Sequence, residues 1–214
     1  MMKSKIYFNK YFLFFFILIS VFQQAKADLL ITVFGDSLVS GYGLLKEESF
    51  PEVLRQKLLD FEIKAQINNA GVSGDTSSGG LARFDWVISE KPDILIIVLG
   101  SNDMLRGINP EITQENLSKI IEKSKEKNIQ VLLCGMQSGG NMGVKYKENF
   151  DSIYSSLKNK HEVFFYPFFL EGVALNPIYN QKDLMHPNKQ GIHLIVNKMI
   201  PSILEVIEEV NNKP

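Results

Sequence analysis

Five short apolar runs, separated by segments with helical periodicity, constrain the fold of this chain more than any other feature. The runs begin at Leu29, Ile63, Asp93, Ile129 and Glu162. Some of them, such as residues 94–99, are apolar at every position, which is typical of parallel strands covered on both faces. Strands that alternate with helices predict an α/β architecture built around a parallel sheet.

Three segments between or after these runs are predicted to be helices. They cover residues 50–61, 113–127 and 188–210. In the first two, apolar residues recur at three- and four-residue spacing and the remaining positions are largely polar or charged. This pattern is typical of helices that pack one face on a sheet.

Two motifs at opposite ends of the chain suggest serine chemistry. The first apolar run stops at Gly-Asp-Ser-Leu, residues 35–38, so Ser37 follows a predicted strand, and Asp183 stands three residues before His186. Open α/β sheets bind ligands at the carboxyl ends of their strands. Taken alone, either motif could merely cap a helix or turn. Together they favour a Ser-His-Asp triad, in which His186 meets both the Ser37 hydroxyl and the Asp183 carboxylate.

Two further motifs follow the second and third predicted strands. They are the glycine-rich stretch at residues 71–80 and Gly-Ser-Asn-Asp at residues 100–103. Acyl transfer needs hydrogen-bond donors aimed at the developing oxyanion. Gly74 can supply a backbone N–H, Asn102 a side-chain amide and Ser37 a third N–H, unless Gly74 serves only a tight turn and Asn102 only an Asx-turn.

These motifs, in this order, resemble the blocks of the SGNH-hydrolase superfamily, the GDSL esterases and lipases. Within it, residues 35–43, 73–83, 102–107, 167–173 and 186–188 resemble the bacterial thioesterase I, arylesterase and lysophospholipase branch. The resemblance covers nearly the whole chain after residue 28. It implies a flavodoxin-like, three-layer α/β/α sandwich with a five-stranded parallel sheet. It also implies that Ser37 is the nucleophile, His186 the general base and Asp183 its orienting carboxylate, and that Gly74 and Asn102 complete the oxyanion hole.

Two positions depart from the pattern of that branch. The branch commonly has glycine where this chain has Leu184, so the turn between Asp183 and His186 is expected not to depend on glycine. Where the branch usually has Pro-Pro-Asn-Tyr-Gly, residues 139–143 read Gly-Gly-Asn-Met-Gly, which exchanges stiff residues for flexible ones. This loop is expected to influence substrate preference. Candidate walls of an acyl site are Met104, Leu105 and Met142, unless these side chains simply pack into the core.

The expected activity is two-step hydrolysis of carboxylic esters and thioesters of acyl chains, including lysophospholipids. A polysaccharide or cell-envelope deacetylase on the same fold is an alternative, and a non-catalytic lipid- or glycan-binding protein is another. The chemistry needs no cofactor, and no group of histidine, cysteine and carboxylate residues has metal-ligand spacing. We therefore expect neither a metal nor a cofactor.

Residues 1–27 are predicted to be a secretory signal peptide. Lysines precede an apolar stretch at residues 11–22, and Ala-Lys-Ala at residues 25–27 supplies a cleavage site. The stretch is shorter than the ~20 residues that a membrane span needs. Cleavage would leave one hydrolase domain, residues 28–214, most simply periplasmic, with 19 basic and 24 acidic residues. This acidic balance disfavours nucleic acid as a partner. Cys134, the single cysteine, can form no internal disulfide and is expected in the core.

Overall fold

The computed structural model describes residues 29–212, so the predicted signal peptide lies outside the described residues. Five parallel strands form one sheet with the order β2-β1-β3-β4-β5. The strands are β1 Leu29–Gly35, β2 Ala65–Gly71, β3 Ile94–Val98, β4 Gln130–Cys134 and β5 Phe164–Tyr166. The predicted five-stranded parallel sheet is thus confirmed.

Seven α-helices alternate with these strands or follow them in the described range. They are α1 Ser37–Ser40, α2 Phe50–Leu59, α3 Ser77–Val87, α4 Ser101–Leu105, α5 Pro110–Glu126, α6 Val144–His161 and α7 Lys189–Asn212. Helix α2 packs against α7, whereas α5 packs against both α3 and α6. The helices therefore form two groups around the sheet, as the layered α/β prediction requires. Within residues 29–212, no helix has the length and apolar character of a membrane span.

The core is centred on the sheet. Strand β3 lies in its middle, and each of its five residues is at most 1% exposed. Continuous apolar sequence in this strand is explained by helices on both of its faces. Cys134 is fully buried at the end of β4, where burial raises the pKa of its thiol.

The three predicted helices form with ends shifted by at most three residues, and the glycine-rich stretch contains the start of a helix that was not predicted. Helix α2 ends at Leu59 rather than at residue 61, and the chain turns away through Glu62, whose φ is +59°. The glycine-rich stretch is helical from Ser77, because Thr76 caps α3 by accepting the N–H of Gly79. A Cβ at Gly80 would lie 2.6 Å from a methyl carbon of Leu99. Glycine at that position therefore lets α3 approach the sheet closely.

Candidate active site

Ser37 lies at the carboxyl end of β1 as the first residue of α1. Asp36, not Ser37, caps this helix, because its Oδ1 accepts the N–H of Leu38 at 3.0 Å. The Ser37 hydroxyl is therefore free of any capping role. It contacts instead Nε2 of His186 at 2.9 Å.

His186 bridges the serine and an aspartate. Its Nδ1 lies 2.6 Å from Oδ2 of Asp183, and Oδ1 of that carboxylate accepts the backbone N–H groups of Met185 and His186 at 2.9 and 3.0 Å. An ionised carboxylate only accepts hydrogen bonds, so Nδ1 carries the proton of the neutral ring and Nε2 is left to accept from Ser37. Although burial opposes the shift, the hydrogen bonds from His186 and Met185 lower the pKa of Asp183 to about 2. The carboxylate is therefore ionised near neutral pH.

The turn that holds this pair contains a non-glycine residue in the left-handed region. Leu184 has a φ of +57°, a conformation that costs an L-residue roughly 1–2 kcal/mol. The turn thus keeps the conformation that suits glycine but forms without it. Three hydrogen bonds to Asp183 close the turn around the strained residue.

The three candidate oxyanion donors follow the carboxyl ends of the neighbouring strands β1, β2 and β3. Gly74 has a φ of +80° in the loop between β2 and α3, and Asn102 is in the first turn of α4 after β3. Among the hydrogen bonds of residues 29–212, none uses the backbone N–H of Ser37 or Gly74. The amide of Asn102 donates one hydrogen bond, to Oδ2 of Asp36 at 3.1 Å, and retains a second N–H. These N–H groups are therefore available at this edge of the sheet, and their role as an oxyanion hole stays a prediction.

The Gly74 loop is anchored from both sides by arginine. Arg106 donates from Nη2 to the carbonyl oxygen of Gly74 at 2.7 Å. Arg83 pairs with Asp75 at 2.7 Å and also donates to the carbonyl oxygens of Gly35 and Ala70 at 2.9 Å. These contacts hold the loop against β1 and against the chain that follows α4.

An aromatic ring covers His186. The Tyr42 ring centroid lies 4.7 Å from that of the imidazole, with an interplanar angle of 39°. Gln181 donates from Nε2 to the carbonyl oxygens of Tyr42 and Pro187 at 2.7 and 3.0 Å, which ties the loop after α1 to the loop that carries His186. Tyr42 thus packs against the histidine while remaining 55% exposed.

The candidate wall residues differ in their surroundings. Leu105 is 56% exposed at the end of α4, whereas Met104 is half-buried and packs against the core. Met142 is half-buried, and its Cε lies 3.8 Å from the position that a Cβ would take at Gly107. The 139–143 loop therefore lies beside the segment that follows α4, where the prediction places part of an acyl site.

Several residues that shape this site have no role that the sequence motifs predict. Tyr42 and Arg106 were part of the family motifs, but their partners His186 and Gly74 are distant in sequence. Gln181 belonged to no motif. One local signal was available. An aspartate directly before a helix commonly caps it by accepting an N–H of the first turn, as Asp36 does for Leu38. Within the described residues, no group of three or more histidine, cysteine or carboxylate side chains could hold a metal ion.

The chain matches known proteins over most of its length. The model of the GDSL-like lipase/acylhydrolase family matches residues 33–194. The chain is 34% identical to thioesterase 1/protease 1/lysophospholipase L1 of Escherichia coli strain K12, over 91% of this chain and 92% of that protein. It is 38% identical to esterase TesA of Pseudomonas aeruginosa, over 79% of this chain and 85% of that protein.

A solved structure agrees with these matches. The psychrotrophic esterase EstA from Pseudoalteromonas sp. superposes with a TM-score of 0.80 at 31% sequence identity. The alignment covers 85% of this chain and all of EstA. Family, fold and relatives agree with the resemblance predicted from the motifs: the chain belongs to the GDSL-like lipase/acylhydrolase family and is a carboxylic ester hydrolase.

Proposed function

We propose that this protein hydrolyses acyl esters and thioesters through a covalent acyl-enzyme on Ser37. One observation carries the proposal. A single imidazole lies 2.9 Å from the serine hydroxyl through Nε2 and 2.6 Å from an ionised carboxylate through Nδ1. This is the arrangement that general-base activation of a serine requires.

In the first step, Oγ of Ser37 attacks the acyl carbonyl carbon while Nε2 of His186 takes the hydroxyl proton. The carbonyl oxygen becomes negative and accepts hydrogen bonds from the backbone N–H groups of Ser37 and Gly74 and from the amide of Asn102. As the bond to the leaving group breaks, the imidazolium returns the proton to the departing oxygen or sulfur. Asp183 stabilises the imidazolium in between.

In the second step, water replaces the leaving group. His186 takes a proton from the water as its oxygen attacks the acyl carbon, and the same three donors bind the second oxyanion. Collapse of this intermediate breaks the bond to Ser37, which regains a proton from His186. The acyl group leaves as a carboxylic acid, so the reaction consumes one water and restores the enzyme.

Exposed apolar side chains favour an acyl chain over a purely polar substrate. They lie within five positions of Ser37, Gly74, Asn102 or His186 in the chain, where they offer apolar contacts to an acyl chain. They are Tyr42, Val72, Leu105, Leu184 and Met185, each between 41% and 56% exposed. Relatives named thioesterase, lysophospholipase and esterase also support acyl substrates for this chain.

A chain-length and leaving-group profile tests the proposal. Purified protein is assayed on p-nitrophenyl esters from acetyl to palmitoyl, on acyl thioesters and on a lysophospholipid, with Ser37→Ala as the control. We expect activity to extend well beyond acetyl and Ser37→Ala to abolish it without lowering the thermal midpoint. Activity confined to acetyl esters would indicate a deacetylase, and turnover by Ser37→Ala near the wild-type rate would exclude Ser37 as the nucleophile.

We also propose that the enzyme acts in the periplasm after removal of residues 1–27. The charged, apolar and small-residue regions of that segment support the proposal. Mass spectrometry of protein from a periplasmic extract should give a chain that begins at Asp28. An intact N-terminal segment would contradict it.

A further inference from the structure

The carboxylate of Asp36 contacts both the turn that carries Ser37 and the turn that carries Asn102. This residue is fully buried, and its carboxylate accepts three hydrogen bonds, all from residues in the turns that follow β1 and β3. Oδ1 accepts the N–H of Leu38 at 3.0 Å, while Oδ2 accepts the hydroxyl of Ser101 at 2.5 Å and the amide of Asn102 at 3.1 Å. One carboxylate therefore joins the turn of the nucleophile to the turn of the side-chain oxyanion donor.

We propose that Asp36 is a positioning residue, whose carboxylate orients the amide of Asn102 so that one N–H of that amide points at the oxyanion. The proposal rests on the serine mechanism above. It assigns to Asp36 a role in transition-state stabilisation that is separate from its capping of α1.

The chemistry of the amide explains the need for such a residue. An asparagine side chain ends in a donor and an acceptor of nearly equal shape, and rotation by half a turn exchanges them. A carboxylate accepts only, so it selects the orientation with NH₂ toward Asp36. One N–H of the Asn102 amide is held by Oδ2 of Asp36, and the second N–H remains for the oxyanion. The amide is therefore oriented before the reaction starts.

The two oxygens of Asp36 make the capping and positioning roles separable. Asp36→Asn keeps the volume and can still cap α1 through its carbonyl oxygen, since asparagine is as good a cap as aspartate. Its NH₂ then takes the place of Oδ2 and faces the NH₂ of Asn102. Two donors oppose each other, and the orientation of the Asn102 amide is lost.

A double-mutant cycle with Asn102→Ala tests this coupling. Asp36→Asn is expected to lower kcat about 10- to 100-fold with KM almost unchanged, somewhat less than the 10²–10³-fold cost of deleting an oxyanion donor. In the Asn102→Ala background the same change should alter kcat by less than about twofold, because the amide on which it acts is gone. Ser101→Ala is the matched control. It removes the other donor to Oδ2, leaves Asn102 in place and should change kcat by less than about threefold.

Three outcomes would overturn the proposal. They are additive losses of kcat in the cycle, a kcat for Asp36→Asn within about twofold of wild type, and a Ser101→Ala loss as large as that of Asp36→Asn. A fall in the thermal midpoint with unchanged kcat belongs to the second outcome, because it leaves capping as the only role. Each outcome is distinct from failure of the serine mechanism, which Ser37→Ala reports independently.

A measurement on the wild-type protein covers the case in which Asp36→Asn does not fold. The side-chain amide signals of Asn102 are identified by NMR as those lost in Asn102→Ala. One of the two protons should exchange with water far more slowly than those of Asn141, which is exposed, because it is bound to a buried carboxylate. Equally fast exchange at both residues would overturn the proposal.

Discussion

The contact between Arg106 and Gly74 yields a quantitative prediction. Gly74 supplies a proposed oxyanion donor from a loop with a φ of +80°, and the guanidinium of Arg106 binds the carbonyl oxygen of the same residue at 2.7 Å. Arg106→Met keeps much of the side chain's length and removes this hydrogen bond. We expect the Gly74 peptide to become less fixed and its N–H to bind the oxyanion less well.

The size of the effect follows from the worth of one hydrogen bond. Arg106 is exposed, so its bond competes with water and contributes about 0.5–1.5 kcal/mol. If this contribution is lost in the transition state alone, kcat falls about 2- to 12-fold, since about 1.4 kcal/mol corresponds to tenfold. The loss is smaller than for Asn102→Ala because the donor itself remains.

Steady-state hydrolysis of a short p-nitrophenyl ester measures the effect without a contribution from acyl-chain binding. Arg55→Met is the control, because Arg55 pairs with Glu52 within α2 and the charge change is the same. We expect kcat to fall for Arg106→Met only, with KM changed by less than about twofold in both. An unchanged kcat, or an equal loss in the control, would show that Arg106 does not fix the Gly74 peptide for catalysis.

Three further predictions concern the donor, the carboxylate and the divergent loop. Asn102→Ala should lower kcat about 10²- to 10³-fold with a smaller effect on KM, and a change confined to KM would mean that the amide only binds substrate. The pKa of Asp183 is lowered to about 2, below the ordinary value of about 4. Its ionised form therefore stabilises the folded protein above about pH 4, and this stabilisation is lost as the pH falls toward 2. The difference in thermal midpoint between wild type and Asp183→Asn should therefore shrink between about pH 5 and pH 2, and a constant difference would contradict this. Replacing Gly139 and Gly140 with proline and Met142 with tyrosine should narrow the acyl-chain profile of kcat/KM, whereas parallel profiles would show that the loop does not contact the chain.

Local sequence patterns were sufficient for most of the fold. Apolar runs located all five strands to within about two residues, because strand burial depends on the composition of a short segment. Four helices were missing from the prediction. Of these, α1 and α4 have only four and five residues, whereas the longer α3 and α6 had weaker or unused signals. Two glycines interrupt the pattern in α3, while α6 does carry buried residues at positions 150, 153, 154 and 157, which share a helical face.

The family and the identities of the candidate site residues were also readable from the sequence. Short motifs after strands are local, and parallel topology brings the ends of those strands to one edge. The motifs therefore predicted Ser37, Gly74, Asn102, Asp183 and His186 as a set. Their chemistry follows from residue type and order along the chain.

Only the tertiary structure decided how these residues meet. Ser37 and His186 are 149 positions apart, and their 2.9 Å contact depends on the packing of the loop before α7. Tertiary structure likewise decided that Tyr42 packs on His186, that Arg106 binds the carbonyl oxygen of Gly74 and that Leu184 adopts a left-handed backbone conformation. Asp36 shows the distinction within one residue. Its cap on Leu38 is local and sequence-readable, whereas its bond to Asn102 spans 66 positions and exists because β1 and β3 are neighbours in the sheet.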